Sequence, residues 1–324
     1  MNTSLAPAVE RALAAAVRAP SPQNTQPWRF VVTGSRIETW LDRGRVLAIA
    51  DAAGREARLS CGAAVCNLLL TVRAEGFRAH LRIRPVAAEH DLLAVVDLER
   101  GGSASAAERR LAEAVFHRHT NRRPFSDRRV SAAVRSHLVA AAWTERGRLE
   151  FLDGTGRYPR VTALIRQAEH EQRTDPEFRA EAAYWTGRRS DSPDGVPTTA
   201  FGPAAKVPPV VSLRSSHQNP AVPPRPFEQD PLLAAVLTDD RGTAADVRAG
   251  LALQRVLLAA TADGLATSFV SQPFETAATR GPLLELFGGL GHVHALLRLG
   301  YAYSVRTTRR RPVAEVTDIR EPAR

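Results

Sequence analysis

Lysine is almost absent from this chain: of its 44 lysine and arginine residues only Lys206 is a lysine. Cysteine is nearly as scarce, with Cys61 and Cys66 alone. Five residues apart on a helix, these two point to different faces and lie too far apart for a disulfide. A chain of 324 residues with no disulfide framework suits a reducing compartment, so a cytoplasmic location is expected. No apolar run reaches the roughly 18 residues of a membrane helix, and no membrane association is expected. Residues 1–10 lack a basic start followed by an apolar run, so no signal peptide is read there. No block of five basic residues occurs either. The net charge of +10 is spread as arginine over both halves of an alanine-rich chain, which is the pattern of a compositional bias. A nucleic-acid partner is therefore not expected.

What is present is ordinary globular material, 44% apolar and 24% charged, in a length that suits one large domain or two smaller ones. One stretch stands out. Residues 19–30 read Ala-Pro-Ser-Pro-Gln-Asn-Thr-Gln-Pro-Trp-Arg-Phe. Three prolines fix φ and remove three backbone donors, so the stretch is a stiff loop between a helix and a strand. Ser21, Gln23, Asn24 and Gln26 supply short hydrogen-bonding groups along it. Such a loop holds a planar polar ligand or turns a corner, and its chemistry alone leaves both open.

Periodicity predicts the elements around it. A helix over 9–18 ends at Pro20. Strands over 28–32 and 37–41 form a hairpin around Gly34-Ser35. A helix apolar on all sides runs over 60–76, and strands follow over 77–84 and 92–98. Helices are expected over 108–117 and 131–142, a strand over 149–152, and one long polar helix over 161–183. Ten of the 22 prolines fall between Pro193 and Pro231, so residues 186–231 read as a lid, an arm or a disordered insertion. A strand over 231–237, a second apolar helix over 249–262, a strand over 266–270, a short helix over 281–287 and a strand over 295–301 precede a tail over 307–313. His117, His119, His292 and His294 fit no metal-ligand spacing, and no metal is expected.

The two apolar helices correspond at an offset of 188. Gly62 meets Gly250, Leu69 meets Leu257, Ala74 meets Ala262 and Gly76 meets Gly264. A repeated helix, glycine stop and strand indicates an internal duplication. The starts of the halves, a helix, a loop and a strand, correspond at an offset nearer 120. An insertion in the second half accommodates the difference.

Ala19-Pro20-Ser21, Asn24 and Gln26-Pro27-Trp28-Arg29-Phe30 resemble the N-terminal motif of the FMN-dependent nitroreductase superfamily. Arg118-His119-Thr120-Asn121-Arg122 is similar to that family's Arg-x-Ser-x-Arg phosphate motif, with Thr120 replacing serine. Arg309-Arg310-Arg311-Pro312-Val313 resembles its C-terminal arginine motif. With Gly54-Arg55-Glu56, Ser60-Cys61-Gly62-Ala63-Ala64 and Ser271-Gln272-Pro273, most of the chain resembles the Acg-type branch found in actinobacteria.

The resemblance implies an α+β nitroreductase-like sandwich of two fused halves, residues 1–106 and residues 107–324 with the insertion 186–231, forming an intramolecular pseudo-dimer. It implies one FMN per chain, with NAD(P)H as electron donor and a small-molecule electron acceptor, a nitroaromatic, a quinone or similar. Arg118, Thr120, Arg122, Arg309 and Arg310 are expected at the phosphate, with Arg310 the best placed of the terminal arginines. Ser21 and Asn24 are expected at the ring edge or ribityl chain, Pro20 and Pro22 over the ring, and Gln272 and Pro273 near flavin N5. No catalytic side chain is implied. The alternative is a flavin-storing protein whose insertion covers the ring and forbids turnover. The fused interface leaves a monomer or a homodimer of such chains open.

Overall fold

The computed structural model describes residues 5–84, 86–206, 219–303 and 307–321. Helix α1 (Leu5–Ala16) leads through the proline loop into a hairpin, β1 (Trp28–Thr33) and β2 (Arg36–Leu41). Helix α2 (Arg55–Ala74) and the antiparallel pair β3 (Phe77–Ile83) and β4 (Leu92–Arg100) complete the first half. Helix α3 (Ala106–Ala114) opens on a reciprocal cap, in which the Ser105 hydroxyl accepts from the Glu108 amide and Glu108 accepts from the Ser105 amide.

The second half begins with α4 (Ala132–Trp143) and β5 (Arg148–Phe151). There follow α5 (Arg157–Thr174), α6 (Pro176–Trp185) and a short parallel pair, β6 (Thr186–Arg188) and β7 (Val196–Pro197). Strand β8 (Leu232–Thr238), α7 (Thr243–Ala262), β9 (Ala266–Phe269), α8 (Gln272–Glu275), α9 (Ala277–Phe287) and β10 (His292–Gly300) come next. The chain closes with α10 (Val313–Val316) and β11 (Thr317–Arg320).

The sheet orders are β11-β1-β2-β4-β3 and β5-β8-β10-β9. Pairing α1 with α4, β1 with β5, β2 with β8, α2 with α7, β3 with β9 and β4 with β10 makes the two orders identical, apart from the added β11. The fold is an α+β sandwich of two fused nitroreductase-like halves. The central helices have equal length, and both their ends are 188 residues apart. They meet at the two glycines. A Cβ on Gly62 would lie 2.1 Å from the Val247 carbonyl oxygen, and one on Gly250 would lie 2.1 Å from that of Leu59. Residues 59 and 247 are themselves 188 apart, so the contact is reciprocal, as in a two-fold symmetric dimer. One apolar core runs through both halves and includes Leu68 and Leu70 of α2 and Leu253, Leu257 and Leu258 of α7. Each fully buried leucine contributes about 1.5–3 kcal/mol. A separated half would expose this face.

Three expectations change. The long helix over 161–183 is two helices, because Pro176 breaks the backbone ladder and Asp175 caps the second by accepting from the amides of Glu177 and Phe178 at 2.8 and 3.1 Å. The tail continues into β11, which pairs in parallel with β1 and so joins the sheet of the first half. The chain between β5 and β8, residues 152–231, stands where the first half has only Gly34-Ser35, and it contains α5 and α6 as well as the proline-rich run. Residues 207–218 of the expected insertion lie outside the described residues. Cys61 and Cys66 are both buried free thiols, and burial pushes Cys66 up to about 12.

Candidate functional site

The loop between α1 and β1 turns sharply at three residues. Gln23, Asn24 and Gln26 have φ of 47°, 58° and 54°. The Ser21 hydroxyl bridges the turn by accepting from the Gln26 amide at 2.9 Å. Asn24 is buried, and its Nδ2 donates to the carbonyls of Gly195 and Arg309 at 2.9 and 3.2 Å.

This loop is one rim of a cleft of about 1280 Å³ that opens to solvent. Leu59, Ser60 and Ala63 of α2 form one wall. Leu253 of α7, residues 268–272 and residues 294–296 of β10 form the other. The insertion adds Gly202, Pro203, Ala205 and Phe227. A smaller cavity of about 390 Å³, lined by Asn24, His119, Thr308 and Arg310, shares Pro20, Ser21, Thr120 and Arg122 with the first. Together they have the mixed apolar and polar lining of a cofactor site.

The smaller cavity is strongly cationic. Arg118 is 4% exposed, its Nη2 donates to the Arg18 carbonyl at 3.2 Å, and its Nε and Nη1 have no partner among the described residues. Burial, then Arg18 and Arg122, push its guanidinium down to about 10. Burial, then Arg118, Arg18 and Arg122, hold Arg310 well below the usual arginine range. Arg310 donates to Thr308 and to the carbonyls of Arg18 and Ala19, and its Nε has no partner among the described residues. Neither arginine pairs with a carboxylate among the described residues. Desolvated cations that repel one another cost several kcal/mol each unless an anion joins them. The planar, permanently charged forks are suited to a phosphate monoester, whose oxygens would accept from the orphaned N–H groups.

The structure brings most of the predicted site residues together. Pro20, Ser21, Pro22, Thr120, Arg122 and Gln272 line the larger cleft, and Asn24 and Arg310 the smaller. Arg118 lines neither, and it shares the Arg18 carbonyl with Arg310. The phosphate-motif segment is anchored on β9 by the bridge of Thr120 to Thr267 and by the Asn121 amide, which donates to the Thr267 carbonyl at 2.8 Å. Three residues, Arg118, Pro273 and Arg309, stand outside both linings. Pro273 is buried, with its carbonyl accepting from the Thr279 hydroxyl at 3.0 Å, and Arg309 is exposed, contributing only its carbonyl to Asn24.

Sequence reasoning named Glu56 and His294 but placed neither of them, nor Glu275, in the cleft. Glu56, Glu275 and His294 are all buried and all line it. Gln172 donates to Glu275 at 2.7 Å, and Arg55 to Glu56 at 3.3 Å. The Thr238 hydroxyl donates to the Asp240 carbonyl, so its oxygen accepts from Nε2 of His294 at 2.7 Å, while the other ring nitrogen faces Asp246 at 3.2 Å. Glu56 stands in the motif Gly54-Arg55-Glu56, but it precedes the apolar run read as the helix, and helix α2 begins a turn earlier, at Arg55. Among the described residues, no three histidine, cysteine, aspartate or glutamate side chains could hold a metal ion.

The reciprocal position is filled. Between α4 and β5 the chain has only residues 144–147, and a Cβ on Gly147 would lie 2.4 Å from that of Ala252. Glu145 in this turn pairs with Arg255 at 2.6 Å. A carboxylate therefore neutralises the arginine here.

No protein-family model matches the chain. A Mycobacterium tuberculosis protein provisionally named NAD(P)H nitroreductase acg is 31% identical over 318 residues, 96% of each chain. A second protein of that organism, also provisionally named an NAD(P)H nitroreductase, is 32% identical over 307 residues, 93% of this chain and 88% of the relative. Among solved structures, a nitroreductase from Bacteroides fragilis with bound FMN aligns with 61% of this chain and 93% of its own, at 16% identity and a TM-score of 0.38.

Proposed function

Because the chain belongs to the NAD(P)H nitroreductase family, in its Acg branch, we propose that it is an FMN-dependent oxidoreductase using NAD(P)H as electron donor and holding one FMN. The observation that carries this reading is the pair Arg118, buried, and Arg310, half-buried, each with a buried and unsatisfied N–H group, where Arg310 lines a cavity that the proline loop borders. Arg118, Arg122 and Arg310 bind the phosphate through charge-assisted hydrogen bonds, and the Thr120 hydroxyl adds a donor. Ser21 and Asn24 bond the ribityl chain or ring edge, while Pro20 and Pro22 cover the ring. Gln272 and Pro273 are assigned beside N5, on the family resemblance. Arg309 contributes its backbone. Bound FMN supplies the hydride chemistry between NAD(P)H and a nitroaromatic, quinone or similar acceptor. The chain's own residues bind the cofactor, orient it and exclude water, and none is assigned as acid or base. The division into halves at residues 106 and 107 is part of this proposal. So is the single site, since the turn at 144–147 stands where the second loop would be.

The test is loading with FMN, removal of free flavin, and measurement of flavin per chain from visible absorbance. One per chain is expected, and no retention overturns the reading. Anaerobic mixing with NADH and with NADPH then tests turnover, with bleaching by either expected.

A second reading has one observation in its favour: Gly202, Pro203, Ala205 and Phe227 of the insertion line the cleft. If this wall denies nicotinamide contact with the ring, hydride transfer fails and the protein stores flavin. Flavin retained one per chain but bleached by neither nicotinamide is the outcome for storage.

A further inference from the structure

Gln23, Asn24 and Gln26 all have positive φ, between 47° and 58°, and none of them is glycine. L-residues adopt this region at a cost, and it persists only where surrounding groups hold it. The opening loop therefore needs a restraint, and the structure shows where it comes from. Gln26 is fully buried, and its Nε2 donates to the Pro193 carbonyl at 2.8 Å. Asn24 donates from Nδ2 to the Gly195 carbonyl at 2.9 Å, and the Gly195 amide donates back to the Asn24 carbonyl at 3.3 Å.

Arg45 closes the arrangement. Its Nε donates to the Thr25 carbonyl at 2.6 Å, its Nη2 pairs with the Asp194 carboxylate, and its guanidinium lies 5.5 Å from the centre of the Trp185 ring. Gly195 has φ of 68°, and a Cβ there would lie 2.7 Å from the Trp185 carbonyl oxygen, so only glycine lets the backbone approach. Residues 193–195 line neither cavity. Any effect they have on a bound cofactor passes through the loop.

We propose that residues 193–195 and Arg45 form a clasp that keeps Gln23, Asn24 and Gln26 in their left-handed conformation, making Arg45 and Asp194 positioning residues for cofactor retention. The proposal rests on the FMN reading of the cleft. It gives the start of the insertion a task distinct from covering the ring. The first half's loop is shaped by the second half's insertion.

The experiment compares Asp194→Asn, Asp194→Glu, Arg45→Met and Arg45→Lys with the unmodified chain. FMN dissociation constants come from flavin fluorescence, and amide hydrogen exchange of residues 21–26 is followed in flavin-free protein. Asp194→Asn and Arg45→Met should each weaken FMN about tenfold and speed exchange in this loop, with the urea midpoint little changed. Asp194→Glu and Arg45→Lys should recover most of both. Exchange and affinity within about twofold of the unmodified chain in Asp194→Asn would overturn the clasp. So would equal losses in Asp194→Asn and Asp194→Glu. If Arg45→Met does not fold, the aspartate pair still decides. If the unmodified chain retains no FMN, the cleft reading fails while the exchange comparison still judges the clasp.

Discussion

Between α1 and β1 the first half has eleven residues of proline-stiffened loop, whereas between α4 and β5 the second half has four. Around these unequal connections the halves share strand order, central-helix length and a reciprocal glycine contact. The difference separates what a duplicated core must keep from what it can lose. Close packing of α2 on α7 tolerates no side chain at either glycine, so that contact stays symmetric. In the proposed cofactor site the long loop comes from the first half, and Arg118 and Arg310 come from the second. At the other end the loop is cut short and Arg255 is neutralised by Glu145, which leaves a structural ion pair.

The largest expected effect lies on the symmetric side. Gly62→Ala and Gly250→Ala should each cost about 3 kcal/mol in urea unfolding, and equally within about 1 kcal/mol. A large difference between them would break the claim of equivalent halves. Next, Arg118→Met and Arg310→Met should each weaken FMN about 100-fold. Each should also raise the melting temperature of the flavin-free protein, because a desolvated cation without a carboxylate partner is removed. Arg255→Met should do the reverse, leaving FMN affinity within about twofold and lowering stability by stranding Glu145. FMN titrations and thermal melts on the three variants read both outcomes.

A pH series sharpens the same contrast. The Arg118 guanidinium is pushed down to about 10 in the flavin-free fold. Between that value and the ordinary arginine range the unfolded chain binds more protons, so stability from this site rises with pH. FMN affinity should fall over the same window, since an uncharged guanidine no longer pairs with phosphate. Affinity that stays flat from about pH 8 to about pH 11 would remove Arg118 from the phosphate site. The smallest effects belong to the loop. Ser21→Ala and Asn24→Ala should each weaken FMN about fivefold, whereas Thr144→Ala in the short turn should leave it unchanged. Unchanged affinity in both loop variants would detach the loop from the site.

Much of this architecture was legible because its causes are local or periodic. Gly62 and Gly250 mark the helix crossing, and Gly76 and Gly264, with φ of 85° and 75°, mark the stops of both central helices. The three prolines of the opening loop exclude helix and inner strand wherever they are placed. β11 was not legible, since Thr317–Arg320 becomes a strand only by pairing with β1 at the other end of the chain. The break at Asp175-Pro176 had a local signal, an aspartate cap followed by proline, which the long polar periodicity hid. Nothing local placed Glu56, Glu275 and His294 in the cleft, because which face of a buried helix or strand lines a cleft depends on what packs against it.

The sequence by itself determined where the chain stops being helical, which two helices are buried on every side, and that they are copies of each other. Only the tertiary structure decided which charges meet. Arg18, Arg118, Arg122 and Arg310 come from three distant parts of the chain, and the burial of Arg118 and the mutual repulsion of the group follow from distances through space that no spacing along the chain encodes. For the same reason Arg310 turns inward at the cavity while its neighbour Arg309 points to solvent: the choice belongs to the path between the opening loop and β11, not to the three arginines themselves.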